Sequence, residues 1–285
     1  SNTFSLKLRA KDLQSKRSFA LDKFALIGPA FLEKSGLFTA LQSFFNRYRP
    51  WGKIDIDLEA SGNLNKINES KLAGKIYCKE VAFCDYKFPY SVEHVVGQID
   101  FTENNVALNN LSGKHGDVEL FFNGWSGDFG PNWKYQIRIT SDGMVLDNDL
   151  YQALSTKQKE FWSAFSPSGL AAVDYQLNRR SQTDKEKKLN VELRGAEAVY
   201  RKFPYPLKNL TGRVSFDSAG VIFSNVVSQN NEHKITLNGE ITAPGTDSST
   251  HDISIEVNNI PLDSTLCAAL PDRQGDLYSQ IHPSG

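Results

Sequence analysis

The stretch Lys87-Phe88-Pro89-Tyr90, followed by Gly97-Gln98-Ile99-Asp100-Phe101, occurs a second time as Lys202-Phe203-Pro204-Tyr205, followed by Gly212-Arg213-Val214-Ser215-Phe216. Both parts of the pattern are displaced by the same 115 positions (202 − 87 and 212 − 97). The register holds outside the motif: Val106 matches Val221, Asn110 matches Asn225, and Asn123-Gly124 matches Asn238-Gly239. After one inserted residue the displacement becomes 116 (262 − 146). Leu146-Asp147 then matches Leu262-Asp263, Ala153-Leu154 matches Ala269-Leu270, and Gln158 matches Gln274. So many matches at one displacement establish an internal duplication. A period this long makes each copy a domain-sized unit rather than a turn of a small solenoid.

The duplication sets the expected organisation. Pro50-Trp51-Gly52 opens the first full copy and Pro167-Ser168-Gly169 the second, and Pro283-Ser284-Gly285 repeats the opening once more. Residues 1–49 are expected to be the C-terminal part of a preceding copy. Residues 50–166 and 167–282 form two full copies, each a β repeat plus a helix, and 283–285 begin another. On this reading the chain is a piece cut from a longer repetitive protein, with Ser1-Asn2 as a cloning remnant.

The polar and apolar positions alternate with a period of two through most of each copy, which predicts strands with one buried face. Ile54, Ile56, Leu58 and Ala60 lie on one side; Lys53, Asp55, Asp57 and Glu59 lie on the other. Leu72, Gly74, Ile76 and Cys78 continue the pattern, followed by Val81-Ala82-Phe83, the Lys-Phe-Pro-Tyr turn, and Val95 to Phe101. Val106-Leu108, Val118 to Phe122 and Tyr135 to Ile139 complete the copy, which therefore reads as about seven short antiparallel strands. The period then becomes helical over roughly 147–165 and 263–281, with Asp147 and Asp263 as N-caps. Leu37, Leu41, Phe44, Phe45 and Tyr48 predict a helix over 31–49, and another is expected over roughly 17–27, broken at Gly28-Pro29. The fold class is mostly β, with tandem repeats forming curved, groove-like sheets, each followed by an α-helix.

Composition excludes little and supports no charged partner. The 285 residues carry a net charge of −1, with 40% hydrophobic and 23% charged residues, which gives no basis for nucleic-acid binding. No apolar run is long enough to cross a membrane. Cys78 and Cys84 stand where the second copy has Leu193 and Val199, so they read as small buried hydrophobes rather than ligands. Cys267 has no His or Cys at metal-ligand spacing. The five histidines, His94, His115, His233, His251 and His282, form no pair. Three of them are replaced by Asn209, Asn230 and Tyr135 in the other copy, which suits solvated positions. Asp128-Phe129-Gly130 copies a kinase triplet without the accompanying loops and is a turn. No nucleophile elbow, zinc helix or phosphate loop is present. The expectation is a protein without catalysis, cofactor or metal.

Taken together, the Pro-x-Gly strand opening, the aromatic-Pro-Tyr turn into Gly-x-apolar-x-Phe, the Asn-Gly strand end and the Leu-Asp helix start resemble the AsmA-like repeats of envelope proteins in double-membraned bacteria, relatives of the TamB proteins. The resemblance covers essentially the whole chain. It implies a long antiparallel sheet with an apolar concave groove and a parent protein anchored in the inner membrane and projecting into the periplasm. It also implies phospholipid as the ligand and a role in lipid transport or outer-membrane maintenance. The helix after each repeat departs from the family pattern. The groove would be lined by Ile54, Ile56, Leu58, Ile76, Ile99, Phe101, Leu120 and Phe122 in the first copy. In the second, Val173, Tyr175, Val191, Leu193, Val214, Phe216, Ile235 and Leu237 would line it. Aspartate at Ile54 or Ile56 is expected to abolish lipid binding at little cost to folding. The alternative from another class is a structural spacer of closed β repeats that binds other envelope proteins, because a one-sided sheet can equally bury its apolar face under its own helix.

Overall fold

The computed structural model describes residues 2–15, 36–63, 65–230 and 232–281. The helix expected over 17–27, its break at Gly28-Pro29, His282 and the Pro283-Ser284-Gly285 opening lie outside the described residues. The chain divides into two compact units, Ser1–Ser141 with Tyr175–Lys187, and Asp142–Asp174 with Lys188–Gly285.

The first unit is built on β1 (Thr3–Ser15), α1 (Gly36–Tyr48), β2 (Trp51–Asn63), β3 (Lys66–Asp85), β4 (Phe88–Thr102), β5 (Asn105–His115), β6 (Val118–Gly127) and most of β7 (Lys134–Val145). Each strand pairs antiparallel with its sequence neighbour, as hairpin connections require. The mostly β, antiparallel character read from the alternation is therefore present.

The second unit contains α2 (Asn148–Ala153), α3 (Thr156–Phe165), most of β9 (Lys185–Tyr200), β10 (Phe203–Phe216), β11 (Gly220–Asn230), β12 (His233–Thr242), β13 (Thr250–Asn258), α4 (Ser264–Ala269) and α5 (Asp272–Ile281). Strands β9 to β13 again pair antiparallel in chain order. Strand β8 (Leu170–Arg179) is divided, with residues up to Asp174 in the second unit and those from Tyr175 in the first.

The helical segments are separated by six strands, not seven. The excess arose from β-bulges. In β3 the register to β4 shifts between Cys78 and Val81 and again before Phe83, so the alternation restarts and one 20-residue strand reads as two. The turn at Lys87-Phe88-Pro89-Tyr90 is also shorter than the motif. Tyr86 and Lys87 form it, with the Lys87 N–H donating to Asp85 Oδ1 at 2.9 Å, while Phe88 already pairs with Asp85. Pro89 is tolerated because it stands at the very start of β4.

The helices also differ from expectation. Each expected long helix is two short ones, α2–α3 and α4–α5, broken at Leu154-Ser155 and Leu270-Pro271. Asp147 and Asp263 are N-caps as read, accepting from the N–H of Leu150 and of Thr265 and Leu266, each at 2.9 Å. Ser155 and Gln158 form a capping box that starts α3. Helix α3 lies on the strands that come after it. Phe165 stacks on Tyr200 at 5.1 Å, and Phe161 meets Phe216 edge-on at 5.4 Å. Helix α1 relates to its sheet in the same way: Tyr48 meets Phe83 at 6.0 Å, and the Tyr86 N–H donates to Arg47 O. The equivalent bond in the second unit runs from Arg201 N–H to Ala164 O. Helices α1 and α3 therefore pack on strands that follow them, whereas α4 packs on β10, a strand that precedes it.

Candidate functional site

The bulges explain which residues the duplication retains. Asn110 and Asn225 adopt left-handed φ values of 51° and 50° at register shifts in β5 and β11. Asn tolerates this region because its short polar side chain costs little there. The freed N–H groups of these two residues donate to the Oδ1 of Asn123 and Asn238 at 3.2 and 2.6 Å. The next residue, Gly124 or Gly239, has φ 142° or 132° and lies against the following strand. A Cβ would fall 2.1 Å from Gln136 O at the first and 2.0 Å from Asp252 O at the second. The Asn and Asn-Gly matches are thus parts of one strand-bending device, repeated in each unit.

These bends leave each sheet with two chemically distinct faces. In the first unit one row of cross-strand neighbours runs Ala10, Ile56, Ile76, Ile99, Leu108, Gly124, Ile137, and a second runs Leu8, Leu58, Gly74, Phe101, Val106. Residues opposite one another in a ladder share a face, so both rows belong to the apolar one. Leu120 and Phe122 lie on it too, through Gly113 and Leu111. The opposite face is ionic across β1 to β3, where Lys7 pairs with Glu59 at 2.7 Å, Arg9 with Asp57 at 2.6 Å, and Lys79 bridges Asp12 and Asp55 at 3.0 and 2.8 Å; across β4 to β6 it also exposes Val96, Phe121 and Trp125. Lys79 holds both carboxyls below their usual range by hydrogen bonding to the ionised form.

In the second unit the row Val191, Val214, Phe223, Gly239, Ile253 crosses the sheet, flanked by Leu189, Phe216, Val221, Ile241 and by Val226, Leu237, Ile255. Leu193 joins the face through Gly212, and Ile235 through Val257 and Ser228. The eight first-unit residues without the β8 pair, and the six corresponding second-unit residues, therefore gather on one face per unit as alternation predicts. Val173 and Tyr175 are half-buried on the divided β8; Val173 belongs to the second unit and Tyr175 to the first. Burial raises the Tyr175 phenol above its usual value, with Tyr135 adding to the effect.

Burial along the face is uneven. Ile54, Ile56 and Leu58 are only 5%, 5% and 3% exposed, and Leu120 and Phe122 are also buried. Ile76, Ile99, Phe101, Val191, Leu193, Val214, Phe216, Ile235 and Leu237 are half-buried. Toward the last strand the face opens: Ile255 is 62% and Val257 52% exposed. The alternation Ile253-x-Ile255-x-Val257 is a plain strand signal that sequence reasoning left out of the candidate set. It also left out the aromatic plugs, Tyr48–Phe83–Phe122 in the first unit and Phe161–Phe216 with Phe165–Tyr200 and Phe165–Phe223 in the second. Helical periodicity showed these helix aromatics, but not the sheet they would meet.

Among the described residues no cluster of His, Cys, Asp and Glu could hold a metal ion. Cys78 sits on the apolar face opposite Ile54, and burial pushes its thiol up to about 11. His94 occupies a left-handed bulge (φ 52°), matched by Asn209 (φ 50°), which accounts for the His-to-Asn exchange between copies. His115 stacks on Tyr90 at 3.7 Å, with Nδ1 2.7 Å from Ser91 O. No helix among the described residues is long and apolar enough to cross a membrane. Comparison of the chain with protein-family models, with curated proteins and with solved structures finds no match.

Proposed function

We propose that this chain is a non-enzymatic, lipid-handling segment that holds phospholipid acyl chains along the apolar faces of its sheets. The observation that carries the reading is the one-sidedness of those faces. Each carries an apolar row that crosses at least five strands and meets no second sheet among the described residues of its unit. Acyl chains suit such a surface, since each CH₂ removed from water contributes about 0.8 kcal/mol. The likeness to AsmA-like and TamB-related repeats leads us to place the parent in the periplasm, anchored in the inner membrane, serving lipid transport or outer-membrane maintenance. In this reading the repeat is a helix followed by its sheet, and the aromatic plug narrows the groove at one end of each unit.

The test is native mass spectrometry of the purified chain, with organic extraction and lipid analysis. Stoichiometric phospholipid is the expected result. A clean apo mass, unchanged by incubation with phospholipid vesicles, refutes the reading. It would favour a spacer of closed β repeats that docks other envelope proteins, which the low exposure of Ile54, Ile56 and Leu58 beside the Tyr48–Phe83–Phe122 plug supports.

A further inference from the structure

The apolar face of the first unit meets an unmatched cation. Phe101, Val106, Ser126 and Tyr135 are successive cross-strand neighbours on that face. Trp133 lies with them: its Nε1–H donates to Ser126 Oγ at 2.7 Å, and its ring meets Tyr135 at 5.6 Å. The Arg179 guanidinium stands over the Trp133 ring, 5.5 Å from its centroid. Arg179 belongs to the first-unit part of β8. Just beyond it, the Gln182 amide donates to Pro131 O at 3.1 Å, which ties this end of β8 to the chain entering Trp133. The neighbouring Arg180 is satisfied, with Asp184 and Glu186 each at 3.2 Å. Arg179 is not. Among the described residues its Nε is buried without a hydrogen-bond partner, and no carboxylate pairs with it. The residue as a whole is half-buried and Trp133 is 36% exposed, so a ligand can reach both. The matching position of the first copy is Gly62 (179 − 62 and 167 − 50 are both 117), so the strand itself does not call for a cation here.

We propose that Arg179 is a headgroup anchor: it binds the phosphate of an anionic glycerophospholipid whose acyl chains lie on the first unit's apolar face beside Phe101 and Val106. The inference rests on the lipid reading of that face and adds the class of lipid. A planar guanidinium presents paired N–H donors that match two phosphate oxygens. The apolar surroundings that leave its charge uncompensated also strengthen its attraction to an anion. Trp133 and Tyr135 have an apolar body and a polar tip, which suits the boundary between acyl chain and headgroup. A choline or ethanolamine headgroup brings its own cation to the phosphate, so a headgroup of net negative charge gains most from Arg179. A phosphate without acyl chains gains only a half-exposed ion pair, which water screens.

The test is competition within one vesicle population, so that both ligands share the same surface charge. Phosphatidylcholine vesicles carrying equal amounts of phosphatidylglycerol and diacylglycerol, with identical acyl chains, are incubated with the chain, and the lipid carried per chain is read by native mass spectrometry. The parent chain should take up phosphatidylglycerol over diacylglycerol by about tenfold, the worth of a charge-assisted hydrogen-bond pair. Arg179→Gln should carry as much total lipid with that preference lost. Arg179→Lys, which keeps the charge, should retain part of it, and Arg180→Gln, at the paired neighbour, all of it. Glycerol 3-phosphate, a phosphate ester without acyl chains, should not bind. Arg179-dependent binding of glycerol 3-phosphate would reassign the site to soluble phosphates and overturn the headgroup role. Equal uptake of phosphatidylglycerol and diacylglycerol by the parent chain, or a preference that Arg179→Gln retains, overturns the anchor and leaves the lipid reading in place. A parent chain that takes up no lipid removes both.

Discussion

Gly124 and Gly239 are the residues on which the bends turn. Their φ values are unfavourable for any L side chain, and a Cβ would overlap the carbonyl of the neighbouring strand. Gly116 is the control, with φ 55° and nothing within 4 Å of its missing Cβ. Gly116→Ala should cost about 1–2 kcal/mol, the left-handed penalty alone. Gly124→Ala and Gly239→Ala should cost distinctly more, because strand separation is added to backbone strain of roughly 1–3 kcal/mol. Urea midpoints at unchanged slope would measure the difference; equal costs would mean that the close approach is unimportant. The Asn-Gly match was legible in the sequence, but its meaning was not, because the partner of Asn123 is the N–H of Asn110 on another strand. Cys78 offers a simpler check at the same scale. With its thiol pushed up to about 11, thiolate is scarce at neutral pH, so alkylation of folded protein should be much slower at Cys78 than after unfolding.

Among the elements, the strands were legible and the ownership of the helices was not. Alternation placed the apolar residues it named in β2, β3, β4 and β6 on one face because side-chain period is a local property. Bulges interrupt that period without ending the strand, so β3 was read as two pieces, and the start of β4 was read as part of the turn before it. The Asp caps were equally legible, since capping is confined to a few residues. Which sheet a helix covers depends on contacts distant in sequence, and none of those is encoded in helical spacing. Helix α3 follows the first copy in the chain, yet Phe165 packs on Tyr200 and Phe223 in the second unit. Phe165→Ala should therefore destabilise the second unit by about 3 kcal/mol, somewhat below or near the usual range for a core aromatic because the ring is only half-buried. Hydrogen exchange should quicken in β9 to β11 and remain unchanged in β2 to β6. Faster exchange confined to β2 to β6 would return the helix to the strands before it.

Over the whole chain, the duplication places the same apolar face in each unit, and the lipid reading depends on what those faces contact in solution. The position of a probe substitution decides whether it tests binding or folding. Ile54 and Ile56 are too buried for the purpose: a carboxylate there loses its hydration without a partner, and the cost falls on folding. Ile76 and Ile99 stand beside Ile56 in the same cross-strand row but are half-buried, so an aspartate there keeps part of its hydration. Ile56→Asp should unfold the first unit or lower its stability by several kcal/mol. Ile76→Asp and Ile99→Asp should retain a cooperative transition while reducing the phospholipid carried per chain in native mass spectra. Ile255→Asp, on the open last strand, should leave folding unaffected and report whether lipid reaches that end of the second face. If Ile76→Asp and Ile99→Asp proteins fold and carry the same lipid as the parent chain, the acyl chains do not lie on this face. The closed-spacer reading would then account better for its aromatic plugs and buried β2 residues.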